Sequence, residues 1–222
     1  MTGRFCTITA GLSKVELSND WLYCYKINNA TNSIKISHTF TLVTFRQYDY
    51  YLNTILPKMD LRQTKEITIY IEIALKQNIL DKILQPSLEK LGLKCYYEDV
   101  DPVLLAFQRC PKLKEIDIFF WNCNRLPFKR QNVLKEIVKT KRENKIERFN
   151  YNSMPEFDFD DFMNFINNHL SPTCYIRFGI EVKEVFDELK IMLKMAKKNR
   201  EKESNIEIEI HMNGYFPQRT VL

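Results

Sequence analysis

Six strand-like segments recur along this chain, and a segment of helical periodicity follows each but the last. EITIYIEI, LKCYYEDV, KEIDIFF, IERFNYN, CYIRFGI and NIEIEIHM begin near residues 66, 93, 115, 146, 174 and 205, at intervals of about 22 to 31 residues. A single strand–helix unit leaves an apolar face bare, so only an array of such units is stable. The rhythm therefore predicts an α/β fold: irregular strand–helix repeats forming a curved, mostly parallel sheet with helices outside. An ordinary α/β sandwich with one sheet is the competing reading.

Within the array, RCPKLKEIDIFF (109–120) places Cys110, Leu113, Ile116 and Ile118 toward the layer between sheet and helices. The preceding helix in DPVLLAFQRC has Asp101 as its cap and Pro102 in its first turn. QNILDKILQPSLEKLG is helical but must kink or divide at Pro86. RQNVLKEIVKTKREN forms a helix with Val133, Leu134, Ile137 and Val138 on one face, and DFDDFMNFINNHL repeats Phe159, Phe162, Met163 and Ile166 at helical spacing. The clearest helix is VKEVFDELKIMLKMAKK, striped by Val182, Val185, Phe186, Leu189, Met192 and Leu193. Before the array, FCTITA, WLYCYKI and SIKISHTFTLV read as short strands and FRQYDYYLNTILPKM as a helix stopped by Pro57. This divides the chain into a strand-rich N-terminal region, residues 1–60, packing on a repeat domain, residues 61–222.

Several function classes lose support at once. Five glycines in 222 residues, with no GxGxxG and no GxxxxGK[ST], argue against a nucleotide fold built on Gly-rich turns, and no cofactor is expected. The opening MTGRFCTITAGLSKVE lacks a signal-peptide core and no apolar run nears a membrane span, so the expected setting is cytoplasmic or nuclear, with no membrane partner. Six cysteines, at 6, 24, 95, 110, 123 and 174, include no CxxC pair and read as small buried hydrophobes.

Catalytic constellations are weak. His38, His169 and His211 lie far apart, and the cysteines lack zinc-site spacing, so no metal site is expected. His169 reads as a helix-end residue and His211 as a polar-side residue of the last strand. Glu156 and Asp158, followed by Glu181 and Lys183, crudely match the carboxylate-plus-lysine set of a metal-dependent nuclease. Asp158, Asp160 and Asp161 equally suit the first turn of the helix they begin. No GxSxG occurs. The chain reads as noncatalytic.

Two binding readings remain. The basic segments 129–144 and 190–203 carry lysines and arginines opposite an apolar stripe, and such faces can track the phosphates of RNA or DNA, though interleaved glutamates also suit a solvated helix. The outward residues of the strands instead form a continuous surface for a protein partner: Thr68, Tyr70, Tyr96, Asp117, Phe119, Arg148, Asn150, Arg177, Glu207 and Glu209. A slip of one residue in register would invert that set. A protein-interaction module using this surface is the leading expectation, with nucleic-acid binding second and a nuclease third.

The segment Cys110-Pro-Lys-Leu113-Lys-Glu-Ile116-Asp-Ile118 resembles the strand portion of cysteine-containing leucine-rich repeats, with fainter echoes at 145–151 and 64–69. Together with the few glycines and many Phe, Tyr and Lys, it also resembles the C-terminal domain of nematode F-box-associated proteins of the FTH/DUF38 type, over roughly residues 60 to 212. That resemblance implies a leucine-rich-repeat-like α/β domain that serves either as a substrate-recruiting adaptor of a ubiquitin ligase or as a plain protein-binding module. The N-terminus departs from the family pattern, since the only early Leu-Pro pair, Leu56-Pro57, follows strand-like sequence rather than opening an F-box.

Overall fold

Alternation along a strand decides which face is apolar, and strand pairing then aligns those faces across a sheet. The computed structural model describes residues 12–17, 34–44, 48–96, 101–120, 133–152, 158–180, 183–199, 205–212 and 217–222. Its strands are β1 (Leu12–Leu17), β2 (Ile34–Thr44), β3 (Met59–Asp60), β4 (Glu66–Ala74), β5 (Lys90–Tyr96), β6 (Glu115–Phe120), β7 (Ile146–Tyr151), β8 (Leu170–Ile180), β9 (Glu207–Met212) and β10 (Gln218–Val221). They pair in the order β1-β2-β4-β5-β6-β7-β8-β9-β10, with the two-residue β3 beside β2. All neighbours are parallel except the closing pair of β9 and β10.

The helices are α1 (Tyr48–Tyr50), continued by a π turn and a 3-10 turn through Lys58, then α2 (Gln77–Ile83), α3 (Pro102–Arg109), α4 (Val133–Ile137), α5 (Phe159–His169) and α6 (Lys183–Asn199). Because the sheet grows in one direction from β2 to β9, right-handed crossovers carry the connecting helices over one face. The aromatic core shows which face. Phe107 of α3 meets Phe149 of β7 edge-on at 6.1 Å, Phe165 of α5 meets the same Phe149 at 5.2 Å, and Phe162 meets Phe178 of β8 at 6.2 Å. Two rows in register, Ile67–Leu91–Ile116–Phe149–Ile176–Ile208 and Ile69–Leu93–Ile118–Tyr151–Phe178–Ile210, form the buried floor under these helices. Each such side chain contributes about 1.5–3 kcal/mol by leaving water.

The expected curved, leucine-rich-repeat-like array is corrected here. The sheet is mostly parallel but open, neither closed nor strongly curled, with helices interspersed between its strands. Steady curvature requires the same small rotation at every unit, set by outer elements of equal thickness. The crossovers here carry helices of 7, 8, 5, 11 and 17 residues, so no constant rotation accumulates. Nor does β2 stand apart from the later strands: it pairs with β4 from Thr39↔Glu66 to Thr44↔Ile71.

Local expectations fare unevenly. Asp101 accepts from the Val103 amide at 2.8 Å and caps α3, and Cys110, Leu113, Ile116 and Ile118 are all buried where the chain turns into β6. The stripe of α6 buries Phe186, Leu189, Met192 and Leu193, while Val182 lies outside the described residues. Three boundaries move. Pro86 and Ser87 form a turn, so β5 starts at Lys90 rather than 93; β8 starts at Leu170, directly after α5; and the helix expected to reach 144 stops at Ile137. FCTITA and WLYCYKI lie outside the described residues, whereas SIKISHTFTLV is β2. No helix among the described residues is long and apolar enough to cross a membrane.

Candidate partner-binding face

Opposite the helix layer, the odd-and-even alternation brings polar positions of β2 and β4 to β10 onto one face. Parallel pairing arranges them in three transverse rows. The first runs Thr39–Glu66–Lys90–Glu115–Arg148–Tyr175–Glu207. The second runs Thr41–Thr68–Gly92–Asp117–Asn150–Arg177–Glu209–Arg219. The third holds Val43, Tyr70, Lys94 and Phe119.

Charges alternate along these rows. Lys90 Nζ lies 2.8 Å from Glu115 Oε1 and 3.9 Å from Glu66 Oε1, which raises the Lys90 pKa, chiefly through the Glu115 hydrogen bond. Glu66 also accepts from the Thr39 hydroxyl at 3.3 Å. At the other edge, Glu209 is buried between two arginines: Arg219 Nε donates to Oε2 at 2.8 Å, and Arg177 Nε lies 3.3 Å from Oε1. The Tyr175 hydroxyl donates to the same carboxylate at 3.4 Å, and burial, then the Glu209 charge, push the Tyr175 pKa up.

The centre is different in character. Phe119 is 41% exposed, with Lys94 Nζ 5.0 Å from its ring centroid. Tyr70 stands beside it in the same row, its pKa raised by burial and by Asp117 and lowered in part by Arg148. Asn150 Oδ1 is buried and accepts no hydrogen bond from the described residues. Gly92 pairs with Thr68 on one side and Asp117 on the other, and the Thr68 side chain lies against it. Tyr70 and Phe119 thus stand beside two rows of largely paired charges.

Of the ten sequence-derived surface residues, Thr68, Tyr70, Asp117, Phe119, Arg148, Asn150, Arg177, Glu207 and Glu209 stand in these rows, whereas Tyr96 pairs with Ala74 beyond a register shift and lies outside them. Glu209 differs from the rest because its carboxylate is already engaged by two arginines. The set omitted Lys90, Lys94, Tyr175 and Arg219. The first three carry the same period-two signal, whereas Arg219 belongs to β10, which no strand expectation included.

The other candidates come apart. Asp158 Oδ1 accepts from the Asp161 amide at 2.7 Å and caps α5, and Glu156 and Glu181 lie outside the described residues. No group of three or more potential metal ligands occurs among the described residues. His211 lies on the polar face, and His38 pairs with Thr39 Oγ1 at 2.9 Å. His169 is the last residue of α5, at a helix end as expected, and its ring is buried in the aromatic core. Of the basic segments, 129–132 and 200–204 lie outside the described residues, and Arg142 turns inward over Phe107 instead of facing solvent.

No protein-family model, no curated protein and no solved structure matches this chain.

Proposed function

We propose that this protein is a noncatalytic interaction module, an adaptor that recognises a protein partner through the polar face of its sheet. One observation carries the reading: the face is electrostatically balanced around the exposed Phe119 and the half-buried Tyr70. Its three rows hold five cations, Lys90, Lys94, Arg148, Arg177 and Arg219, against five carboxylates, Glu66, Glu115, Asp117, Glu207 and Glu209. A phosphate backbone is bound by excess positive charge, and a face that cancels its own charge supplies none. A folded partner with its own alternating charges and an apolar centre fits such a surface.

The test is affinity capture with the full chain, with and without nuclease, at about 50 and about 200 mM salt. A stoichiometric protein that survives both treatments, and is lost with Phe119→Asp or Arg148→Glu but kept with Lys194→Glu on α6, supports the module. Recovery that needs intact nucleic acid and low salt, and that fails with Lys194→Glu, overturns it in favour of phosphate tracking by the basic helix.

A further inference from the structure

Beyond that face, the helix layer contains a polar cavity that the interaction reading does not use. After α4 the chain turns back toward β7 through residues 138–145, and this turn is firmly tied. The Glu143 and Asn144 amides donate to the Pro111 carbonyl at 3.0 and 3.2 Å, and Asn144 Nδ2 donates to the Lys112 carbonyl at 2.8 Å. Arg142 is folded inward, its guanidinium carbon 4.6 Å from the Phe107 ring centroid. Its Nη2 donates to the Leu113 carbonyl and its Nε to the Asn144 carbonyl at 3.3 Å, but Nη1 is buried and has no partner among the described residues.

The last residue of α5 faces the same space. His169 is 3% exposed, stacked on Phe165 at 6.0 Å and edge-on to Phe107 at 5.9 Å, and among the described residues neither ring nitrogen has a hydrogen-bond partner of good geometry, although the Val138 carbonyl is near enough to favour a ring proton. Arg142, Lys145 and His169 line a cavity of about 180 Å³. Lys145 Nζ donates to the Asn167 carbonyl at 3.3 Å and to the Asn168 carbonyl. Buried donors without acceptors are rare in folded proteins because each one forfeits its hydration. Two such side chains meeting at one cavity mark a place for something that accepts.

We propose that this cavity binds a phosphate-class oxyanion, held by Arg142 Nη1, the imidazole of His169 and Lys145. The charge excludes a metal cation, and the free donors exclude a hydrocarbon. Burial lowers the His169 pKa, and the Arg142 and Lys145 charges lower it further, although the Val138 carbonyl opposes them. In its neutral form, which burial favours, the ring offers one N–H and one lone pair. Monohydrogen phosphate suits both: its oxygens accept from Arg142 and the ring N–H, and its own hydroxyl donates to the other ring nitrogen. Sulfate carries no such proton near neutral pH. Of the carboxylates, Glu143 also lines the cavity and works against an anion, but it lies 4.0 Å from the Lys112 ammonium.

The experiment is a titration of the full chain, ¹⁵N-labelled at histidine, with sodium phosphate, sulfate and chloride at constant ionic strength and pH. A saturable movement of the His169 ring nitrogens with phosphate, weaker with sulfate and absent with chloride, while His38 and His211 stay still, is the expected result. Arg142→Lys should weaken phosphate about tenfold or more. Because Arg142 also packs on Phe107, Lys145→Met at the mouth serves as a second variant that leaves the core untouched, and it should weaken phosphate too. Phosphoserine as a further probe separates the two sources of the group: its binding supports a phosphomonoester ligand, and its exclusion beside phosphate binding supports the free ion. No saturable movement of His169, an equal response to all three salts, or affinity unchanged by Lys145→Met overturns the proposal.

Discussion

Glu209 is a buried carboxylate whose principal partner, Arg219, arrives from β10, the strand antiparallel to β9, with Nε 2.8 Å from Oε2. Arg177, from the parallel neighbour, closes the other side at 3.3 Å. Glu209 thus joins β8, β9 and β10 across the polar face. Changing it to alanine removes the shared acceptor from both arginines. The expected loss is about 1–3 kcal/mol, below the range for a fully buried pair because both arginines reach solvent. Urea denaturation should show Glu209→Ala costing more than Arg219→Ala or Arg177→Ala, and equal costs would contradict the shared-acceptor picture.

Two glycines should differ in their tolerance of alanine. A Cβ on Gly179 would stand 2.6 Å from the Asn152 carbonyl carbon, which is backbone. Asn152 cannot yield, since its side chain bridges to Phe120 through bonds of 2.7 and 3.1 Å. Gly179→Ala should cost about 1–3 kcal/mol. At Gly92 the nearest atom is the Thr68 hydroxyl at 3.3 Å, a side chain that can rotate. Gly92→Ala should therefore stay within about 0.5 kcal/mol of wild type. Thermal or urea midpoints of the two variants decide.

Asp60 makes two hydrogen bonds with the Arg62 guanidinium, at 2.8 and 2.6 Å, and these are the main cause of a pKa lowered from 3.8 to about 2. A folded-state pKa below the unfolded one adds stability above the unfolded value, and that stability is lost as pH falls toward the folded one. The contribution should be complete above about pH 4 and disappear as pH falls toward 2. In an NMR titration, Arg62→Gln should return the Asp60 carboxyl toward its ordinary value. An unmoved titration would remove Arg62 as the cause.

Cys95, Cys110 and Cys174 are buried free thiols, and loss of hydration pushes each pKa up to about 12. Thiolate is the reactive form, so these three should resist alkylation in the native protein at neutral pH and label rapidly once it is unfolded. Peptide mapping by mass spectrometry gives the answer site by site. Native labelling at Cys110 would mean that the turn into β6 opens.

Asp101 ties α3 to the sheet. Its Oδ1 caps the Val103 amide at 2.8 Å, and its Oδ2 accepts from the Tyr151 hydroxyl of β7 at 2.7 Å. Asp101→Ala should cost about 1–2 kcal/mol from the cap, with a further loss from the stranded hydroxyl. In Tyr151→Phe, removing the hydroxyl should make Asp101→Ala less costly, a coupling that a double-mutant cycle measures.

Much of this protein was determined by its sequence alone. Period-two alternation in EITIYIEI, KEIDIFF and NIEIEIHM marked strands with one apolar and one polar face, and that pattern placed Thr68, Asp117, Phe119, Arg148, Arg177 and Glu207 together before any pairing was known. The capping of α3 by Asp101 and of α5 by Asp158 was equally local, because a cap involves only neighbours along the chain. Tertiary structure decided the rest, through contacts between residues far apart in sequence. Sheet curvature depends on the relative thickness of successive units, which no single segment encodes. Pairing Arg219 with Glu209 required the antiparallel β10. His169 has the sequence surroundings of a helix end, yet Phe107, 62 positions earlier, and Phe165 enclose it. Arg142 looks like one more solvated charge among lysines, and only the Pro111–Leu113 turn draws it inside.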